Sequence, residues 1–338
     1  MIQNAIERII NRENLTEEEA AQLMAQLMEG EATDAQIGAL LTAARMKGET
    51  ADEIAGFARA MRRKATRVET SREPLIDTCG TGGDGSHTFN ISTTAAFIAA
   101  GAGAAVAKHG NRSVSSRCGS SNVLEALGVR IDAPPERVGQ CIDEVGIGFL
   151  FAPTFHSAMR HVAGPRREMG VRTFFNIVGP MTNPADAKRQ LLGVFDGAWT
   201  EPMATALGKL GSERAMVVHG AGGLDEISTT GPTRVSELRN GAVETYEMEP
   251  LEYGIRRAEM SDLKGGDADE NARILRAVLD GEAGPALDIA VLNAAAALKT
   301  AGVADSVKEG LERARESIRS GAAKRALEGL IRASSADA

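Results

Sequence analysis

Between Cys79 and Ser121 the chain gathers an unusual chemical inventory. A glycine run, Gly80-Thr81-Gly82-Gly83-Asp84-Gly85, leads into Asn90-Ile91-Ser92-Thr93, and Lys108-His109-Gly110-Asn111-Arg112-Ser113-Val114-Ser115-Ser116 follows. Bare backbone N–H groups, several hydroxyls, two cations and one acid fall within about the length of one βαβ unit. That set suits a phosphate-rich ligand that arrives with a metal ion. Glycines let the main chain approach phosphate oxygens, and a helix start at Asn90 to Thr93 turns N–H groups and a positive dipole end toward them. Lys108, set between Ala107 and Gly110 with hydroxyls following, reads as a phosphate partner.

Other uses of the same loop fit less well. Gly80 to Gly85 satisfies G-x-G-x-x-G, the dinucleotide pattern, but the acid expected about twenty residues on is replaced by Lys108 and His109. No lysine follows the glycines in the Walker position, which disfavours a P-loop nucleotidase.

Two further constellations lie downstream. His219-Gly220-Ala221-Gly222-Gly223-Leu224-Asp225-Glu226 places paired acids after a strand and a glycine loop, the hard oxygen donors that Mg²⁺ takes with substrate phosphates. Adjacent side chains converge on one ion only if the loop bends, so two ions or ligation through water stays open. His219 is read as a structural strand-end residue. Arg160 to Glu168 carries an arginine cluster, commonly solvated or paired with acids such as Glu168, in which one arginine oriented by a proline turn could grip a carboxylate in a forked geometry. Gly179-Pro180 and Asn183-Pro184 mark a rigid crossover.

These groups need elements to hold them. The first seventy residues read as helices: Thr16 with Glu19, Thr33 with Gln36 and Thr50 with Glu53 have capping-box spacing, and Gly30 and Gly48 end the intervening helices. After the charged stretch Arg62 to Glu73 the pattern becomes strand, loop, helix. Leu75 to Thr78, Val106-Ala107 and Ala215 to Val218 read as buried strands, Ser92 to Ala100 and Asn122 to Leu127 as helices, and Arg234 to Met248 as a hairpin turning at Asn240-Gly241. Ala286 to Thr300 is helical, and the tail after Ile331 is expected to fray. The fold expected is α/β: a small helical domain (1–70) and a larger domain (71–338) with a central, mostly parallel sheet and functional loops at strand ends.

The totals set bounds. The chain has 338 residues, 43% hydrophobic and 25% charged, enough for a substantial core. Net charge −8 argues against a general nucleic-acid binder. Three cysteines without metal-site spacing point to reduced thiols in the cytoplasm, and Cys79 is read as buried rather than nucleophilic. No apolar stretch is long enough to span a bilayer, and the first twenty residues lack a signal core.

Taken in order, GTGGD, NIST, KHGNRSVSS, VRTFFN-GP-NPA and HG-GLDE resemble the anthranilate phosphoribosyltransferase family, with the likeness running to about residue 330. The resemblance implies a cleft between a helical and an α/β domain, with helices from about 165–185 joining the helical part, and a homodimer through it. It implies that Gly80, Gly83, Asp84, Thr88, Asn90, Ile91, Ser92, Thr93, the run Lys108 to Ser116 and Ser120 bind phosphoribosyl pyrophosphate. It assigns anthranilate to Gly80, Asn111 and Arg166, and Mg²⁺, as two ions, to Ser92, Asp225 and Glu226. No general base is implied, because an aromatic amine attacks without prior deprotonation. Partners are these small molecules, with neither nucleic acid nor membrane. Two positions depart from the family pattern: Ser121-Asn122 stands where Ala-Asp is common, and Gly164-Pro165 where Pro-Val is common. Pyrimidine nucleoside phosphorylases share the architecture, but would replace the acid-bearing loop and the Asp225-Glu226 pair with a plain phosphate site.

Overall fold

Thr16, Thr33 and Thr50 each accept the N–H three residues on, and the side chains of Glu19, Gln36 and Glu53 reach back to the capping residue's own N–H. Each such box stabilises a helix start by about 1 kcal/mol. With the N-terminal helix they define α1 (Ile2–Ile10), α2 (Glu17–Glu29), α3 (Asp34–Lys47) and α4 (Ala51–Lys64). Gly30 closes α2 in the left-handed conformation that favours glycine. The structure, a computed structural model, describes residues 1–112 and 118–336.

From Leu75 the chain alternates. In order come β1 (Leu75–Gly80), α5 (Ile91–Gly101), β2 (Ala105–Gly110), α6 (Ser120–Leu127), α7 (Pro135–Val145) and β3 (Ile147–Phe151). The short α8 (Ala152–Phe155), then α9 (Arg160–Met169) and α10 (Phe174–Val178), precede β4 (Arg189–Gly193), α11 (Thr200–Lys209) and β5 (Arg214–Gly220). The hairpin β6 (Thr233–Arg239) and β7 (Ala242–Met248) turns at Asn240-Gly241, both at positive φ. Helices α12 (Ala268–Leu279), α13 (Pro285–Ala301), α14 (Val307–Arg319) and α15 (Ala322–Ser335) complete the chain.

One seven-stranded sheet runs in the order β3-β2-β1-β4-β5-β6-β7. The first five strands are parallel; β6 pairs antiparallel with β5, and β7 antiparallel with β6. Successive strand residues point to opposite faces, and the two faces have separate cores. Leu191, Met216 and Val218 join the core built with α5 and α13. Leu192, Ala215 and Val217 join the core that holds α1 to α4 together with Val162, Phe174, Phe175 and Val178. Phe57 of α4 stacks on Phe174 of α10 with centroids 4.4 Å apart.

Two expectations are corrected. Residues 332–335 of the tail are not frayed: α15 continues to Ser335, where Ser334 is buried and its hydroxyl accepts the Arg130 N–H at 3.1 Å. Pro165 makes no turn, since it lies inside α9. Strands β3 and β4 were not singled out from the sequence, being short segments that do not alternate.

Candidate active site

The parallel strands β1, β2, β4 and β5 all end in glycine, at Gly80, Gly110, Gly193 and Gly220. Their carboxyl ends share one edge of the sheet. Strand order reverses between β1 and β4, and ligands of open α/β sheets bind in the crevice at that point.

The loop after β5 bends back across β4 to reach β1. Glycines make this possible. A Cβ at Gly193 would overlap the Asp225 carbonyl, and one at Gly80 would strike the Asp225 carboxylate. With those side chains absent, Asp225 Oδ2 accepts the Gly82 N–H at 2.7 Å and Glu226 Oε1 accepts the Ser92 N–H at 3.0 Å. The acids therefore sit against the glycine loop and the first turn of α5. Asn293, in the middle of buried α13, pins the segment just beyond: its Oδ1 accepts the Ile227 N–H and its Nδ2 donates to the Ile227 carbonyl, both at 2.9 Å.

Lys108 rises from β2 beneath this layer. Its ammonium donates to the Thr78 carbonyl and lies 3.5 Å from Ser92 Oγ. Burial lowers its pKa, opposed by the charges of Asp77 and the two acids of the loop. Burial also raises both Asp225 and Glu226 above the ordinary carboxylate range, and Asp84 beside Asp225, then Asp225 beside Glu226, add to it. Three carboxylates thus crowd one ammonium.

That imbalance is what a hard divalent cation relieves. Among the described residues no group of three or more His, Cys, Asp or Glu side chains is gathered for a metal. An ion held by Asp225 and Glu226 would complete its shell from water and substrate phosphates, the usual habit of Mg²⁺. The donor set fits that ion.

The remaining expected residues divide. Gly83 and Asp84 lie in the loop, where Asp84 accepts from the Ser86 N–H and hydroxyl. Ile91 and Thr93 are buried, and the Ile91 N–H donates to the Phe89 carbonyl at 2.8 Å. Asn90 Nδ2 donates to the Cys118 carbonyl at 3.4 Å and its Oδ1 accepts from Asn271 at 3.0 Å, both at the base of the loop. Thr88 forms a bridge with Lys264. Ser120, at the start of α6, donates to the Asn111 carbonyl at 3.3 Å, joining the ends of the polar run. Gly110 gives Ser120 and Phe149 the room they occupy. His109 is buried beside His156, with ring centroids 5.2 Å apart. Burial holds both imidazoles below their usual pKa, His156 at about 4, so both are neutral at pH 7. Ser113, Val114, Ser115 and Ser116 lie outside the described residues.

Two arginines are less simply placed. Arg112 forms a paired contact with Glu125 at 2.8 and 2.9 Å and covers Phe151, so its charge is already engaged. Arg166 lies over the Phe175 ring at 4.5 Å, and burial lowers its pKa to about 10, still fully charged at pH 7. His219 Nδ1 meets the Val194 carbonyl at 2.8 Å, a strand-end contact.

Arg172 was missed as a site residue by sequence reasoning. Its guanidinium donates to the Gly83 carbonyl and stacks on Phe195 at 4.4 Å, tying the glycine loop to the α9–α10 connection. Asn293 and Gly193 were missed too. A polar residue in an apolar helix was the one available signal for Asn293.

Residues 3–65 match the family model described as glycosyl transferase family, helical bundle domain, and residues 72–324 the glycosyl transferase family, a/b domain. The chain is 56% identical over 331 residues to the anthranilate phosphoribosyltransferase of Moorella thermoacetica, covering 98% of each. Its structure matches the crystal structure of the anthranilate phosphoribosyltransferase from Thermus thermophilus with a TM-score of 0.93 at 49% identity, covering 98% of this chain and 99% of that one. It matches the Saccharomyces cerevisiae enzyme in complex with PRPP and Mg with a TM-score of 0.87 at 29% identity, covering 99% and 98%.

Proposed function

Because the chain belongs to the anthranilate phosphoribosyltransferase family of glycosyl transferases, we propose how its residues divide the work of that reaction. The enzyme transfers the phosphoribosyl group of 5-phospho-α-D-ribose 1-diphosphate to the amine of anthranilate, giving N-(5-phosphoribosyl)anthranilate and pyrophosphate in tryptophan biosynthesis.

The phosphorylated substrate lies along the carboxyl edge of β1 and β2, on the loop from Gly80 to Asp84 and the start of α5, with Thr88, Asn90 and Ser120 around it. The run Lys108 to Ser116 completes its site. Gly80, Asn111 and Arg166 receive anthranilate, whose carboxylate suits a guanidinium held in place by an aromatic ring. Asp225, Glu226 and Ser92 hold Mg²⁺, as two ions, and the yeast relative's complex with PRPP and Mg supports the metal. The observation that carries this reading is the meeting of Asp225 with Gly82 and of Glu226 with Ser92, which brings the metal acids onto the phosphate loop.

In the reaction the amine nitrogen forms a bond to the anomeric carbon while the bond from that carbon to the pyrophosphate oxygen breaks. The nitrogen then releases a proton to solvent. Mg²⁺ supplies positive charge at the departing pyrophosphate. Lys108 and the loop N–H groups stabilise the same developing charge from the protein side. Arg166 and Asn111 orient the amine toward the sugar, the proximity contribution. The amine is nucleophilic as it stands, so no general base is assigned.

The helical part comprises residues 1–70 with helices from about 165–185, and 71–338 forms the α/β part. Exposed Ile10 of α1 and Met46 of α3 support a homodimer through the helical part. Three buried cysteines, none of them in a disulfide, suit the cytoplasm. Among the described residues no helix is long and apolar enough to cross a membrane.

The test is direct: mix protein, anthranilate, phosphoribosyl pyrophosphate and Mg²⁺, and follow anthranilate fluorescence. Loss that requires all of them is expected. A fluorescence signal that stays constant in the complete mixture would overturn the reading.

A further inference from the structure

On the edge of the sheet opposite the glycine loop lies a cavity of about 180 Å³. Its walls come from the end of α4, the segment leading to β1, the crossover leading to β4, and the end of α11 leading to β5. Those segments all approach the amino ends of their strands, whereas the proposed active site occupies the carboxyl ends.

The lining is strongly cationic: Arg59, Arg62, Arg63, Arg67 and Lys209 face a single carboxylate, Asp186. Several of these charges are already in use. Arg62 donates to the Met181 carbonyl at 2.7 Å and to Asp186 and the Leu210 carbonyl at 3.4 Å, which fixes it in the wall. Arg59 pairs with Glu17, and Lys209 with Asp52 at 2.9 Å. Asp186 is shared further with Lys188 at 2.6 Å. Arg63 and Arg67 are exposed, and neither has a hydrogen bond or ion pair among the described residues.

Basic residues in the last turn of a helix commonly serve only to oppose its dipole. Arg63 fits that account, but Arg67 does not, since it lies three residues beyond the end of α4. Two uncommitted guanidiniums beside a fixed third, around a cavity with room for more than a single water, match a planar-donor site for a multiply charged oxyanion.

We propose that this cavity is a second ligand site, separate from the substrate site, which binds a phosphate group through Arg63 and Arg67 with Arg62 as its fixed wall. An occupant would join the end of α4 to the crossover and to α11, bridging the helical layer and the sheet. Free inorganic phosphate and the phosphate of a small monoester share the chemistry required.

The test uses the full chain with its substrate site saturated by phosphoribosyl pyrophosphate and Mg²⁺. Inorganic phosphate and glycerol 3-phosphate are each titrated by calorimetry, at ionic strength held constant with sodium chloride. One site per chain is expected, weakened at least tenfold in Arg63→Ala/Arg67→Ala. That variant should keep the parent melting temperature and its rate without added anion, because neither side chain holds a partner. Tighter binding of inorganic phosphate assigns the site to the free ion, and tighter binding of glycerol 3-phosphate to a monoester. Absence of binding to the parent chain, equal binding to the double variant, or equal displacement by chloride would each overturn the proposal.

Discussion

Glu226 and Ser92 meet through a single bond, the Ser92 N–H donating to Glu226 Oε1 at 3.0 Å, with Lys108 Nζ 3.5 Å from the same serine's hydroxyl. One residue at the first turn of α5 is thereby in contact with both an acid and the buried ammonium of the site. Replacing the acids removes the charge while keeping the shape. Asp225→Asn and Glu226→Gln should each lower kcat by about 10²-fold or more, in the range seen when an electrostatic partner of a transition state is lost. Mg²⁺ titrations of each variant should show a raised activation constant, and an unchanged one would remove that residue from the metal site.

Metal binding at these proposed ligands is expected to depend on pH. Burial and mutual repulsion raise both groups above the ordinary carboxylate range. A raised acid holds its proton in the folded chain where the unfolded chain has lost it, so the folded state loses stability as pH rises from the ordinary carboxylate value of about 4 through the raised one. A cation neutralises the charge that causes the loss, and competes with the proton for the same oxygens. The rise in melting temperature produced by Mg²⁺ should therefore be larger at pH 8 than at pH 6. A thermal scan at the two pH values checks this, and the reverse order would contradict it.

Gly193→Ala places a methyl where the Asp225 main chain runs. The β4 backbone is buried and paired on both sides, so the Asp225 loop has to move instead. Activity should fall about 10²-fold with a raised Mg²⁺ requirement, while circular dichroism stays near that of the parent. Overpacking of this kind costs about 1–3 kcal/mol, so a modest drop in melting temperature is expected beside it.

Lys108→Ala and Arg166→Ala should separate the two substrates. The first is expected to raise KM for phosphoribosyl pyrophosphate or lower kcat by about 10²-fold, with little change in KM for anthranilate. The second should raise KM for anthranilate about tenfold or more. Steady-state kinetics with each substrate varied distinguishes them, and equal effects of Arg166→Ala on both substrates would remove its assignment.

Away from the site, Glu53 is the acid most exposed to loss. It is buried, pairs with Lys47 at 2.8 Å and accepts the Leu15 N–H at 2.9 Å and the Thr50 N–H at 2.8 Å. Glu53→Ala leaves a buried ammonium and two N–H groups short of partners, which costs about 3–5 kcal/mol. The urea midpoint should fall accordingly, with activity per folded molecule retained at low temperature.

Much of this was legible in local chemistry. Capping boxes, glycine stops and the Asn240-Gly241 turn are spelled by residues within a few positions of one another. The glycine loop after β1 was legible for the same reason. What failed to appear in the sequence depends on contacts between distant segments. Gly193 looks like any strand-end glycine until Asp225 lies against it. Arg172 is one arginine in a cluster until its guanidinium meets the Gly83 carbonyl. The engagement of Arg112 by Glu125 is equally invisible from spacing. The helical state of residues 332–335 was missed because their Ser and Ala residues are weak signals, whereas burial of Ser334 is a contact between distant segments.

The return of the β5 loop over β4 also sets the order in which the chain can become competent. The bonds from Gly82 to Asp225 and from Ser92 to Glu226 span 143 and 134 residues. Contacts of such separation carry a high loop-closure cost. A nascent chain that has emerged only as far as Leu224 carries its phosphate loop and its lysine without the acids. On the proposed roles it lacks both carboxylates of the metal site, so the chemistry waits for the rest of the chain.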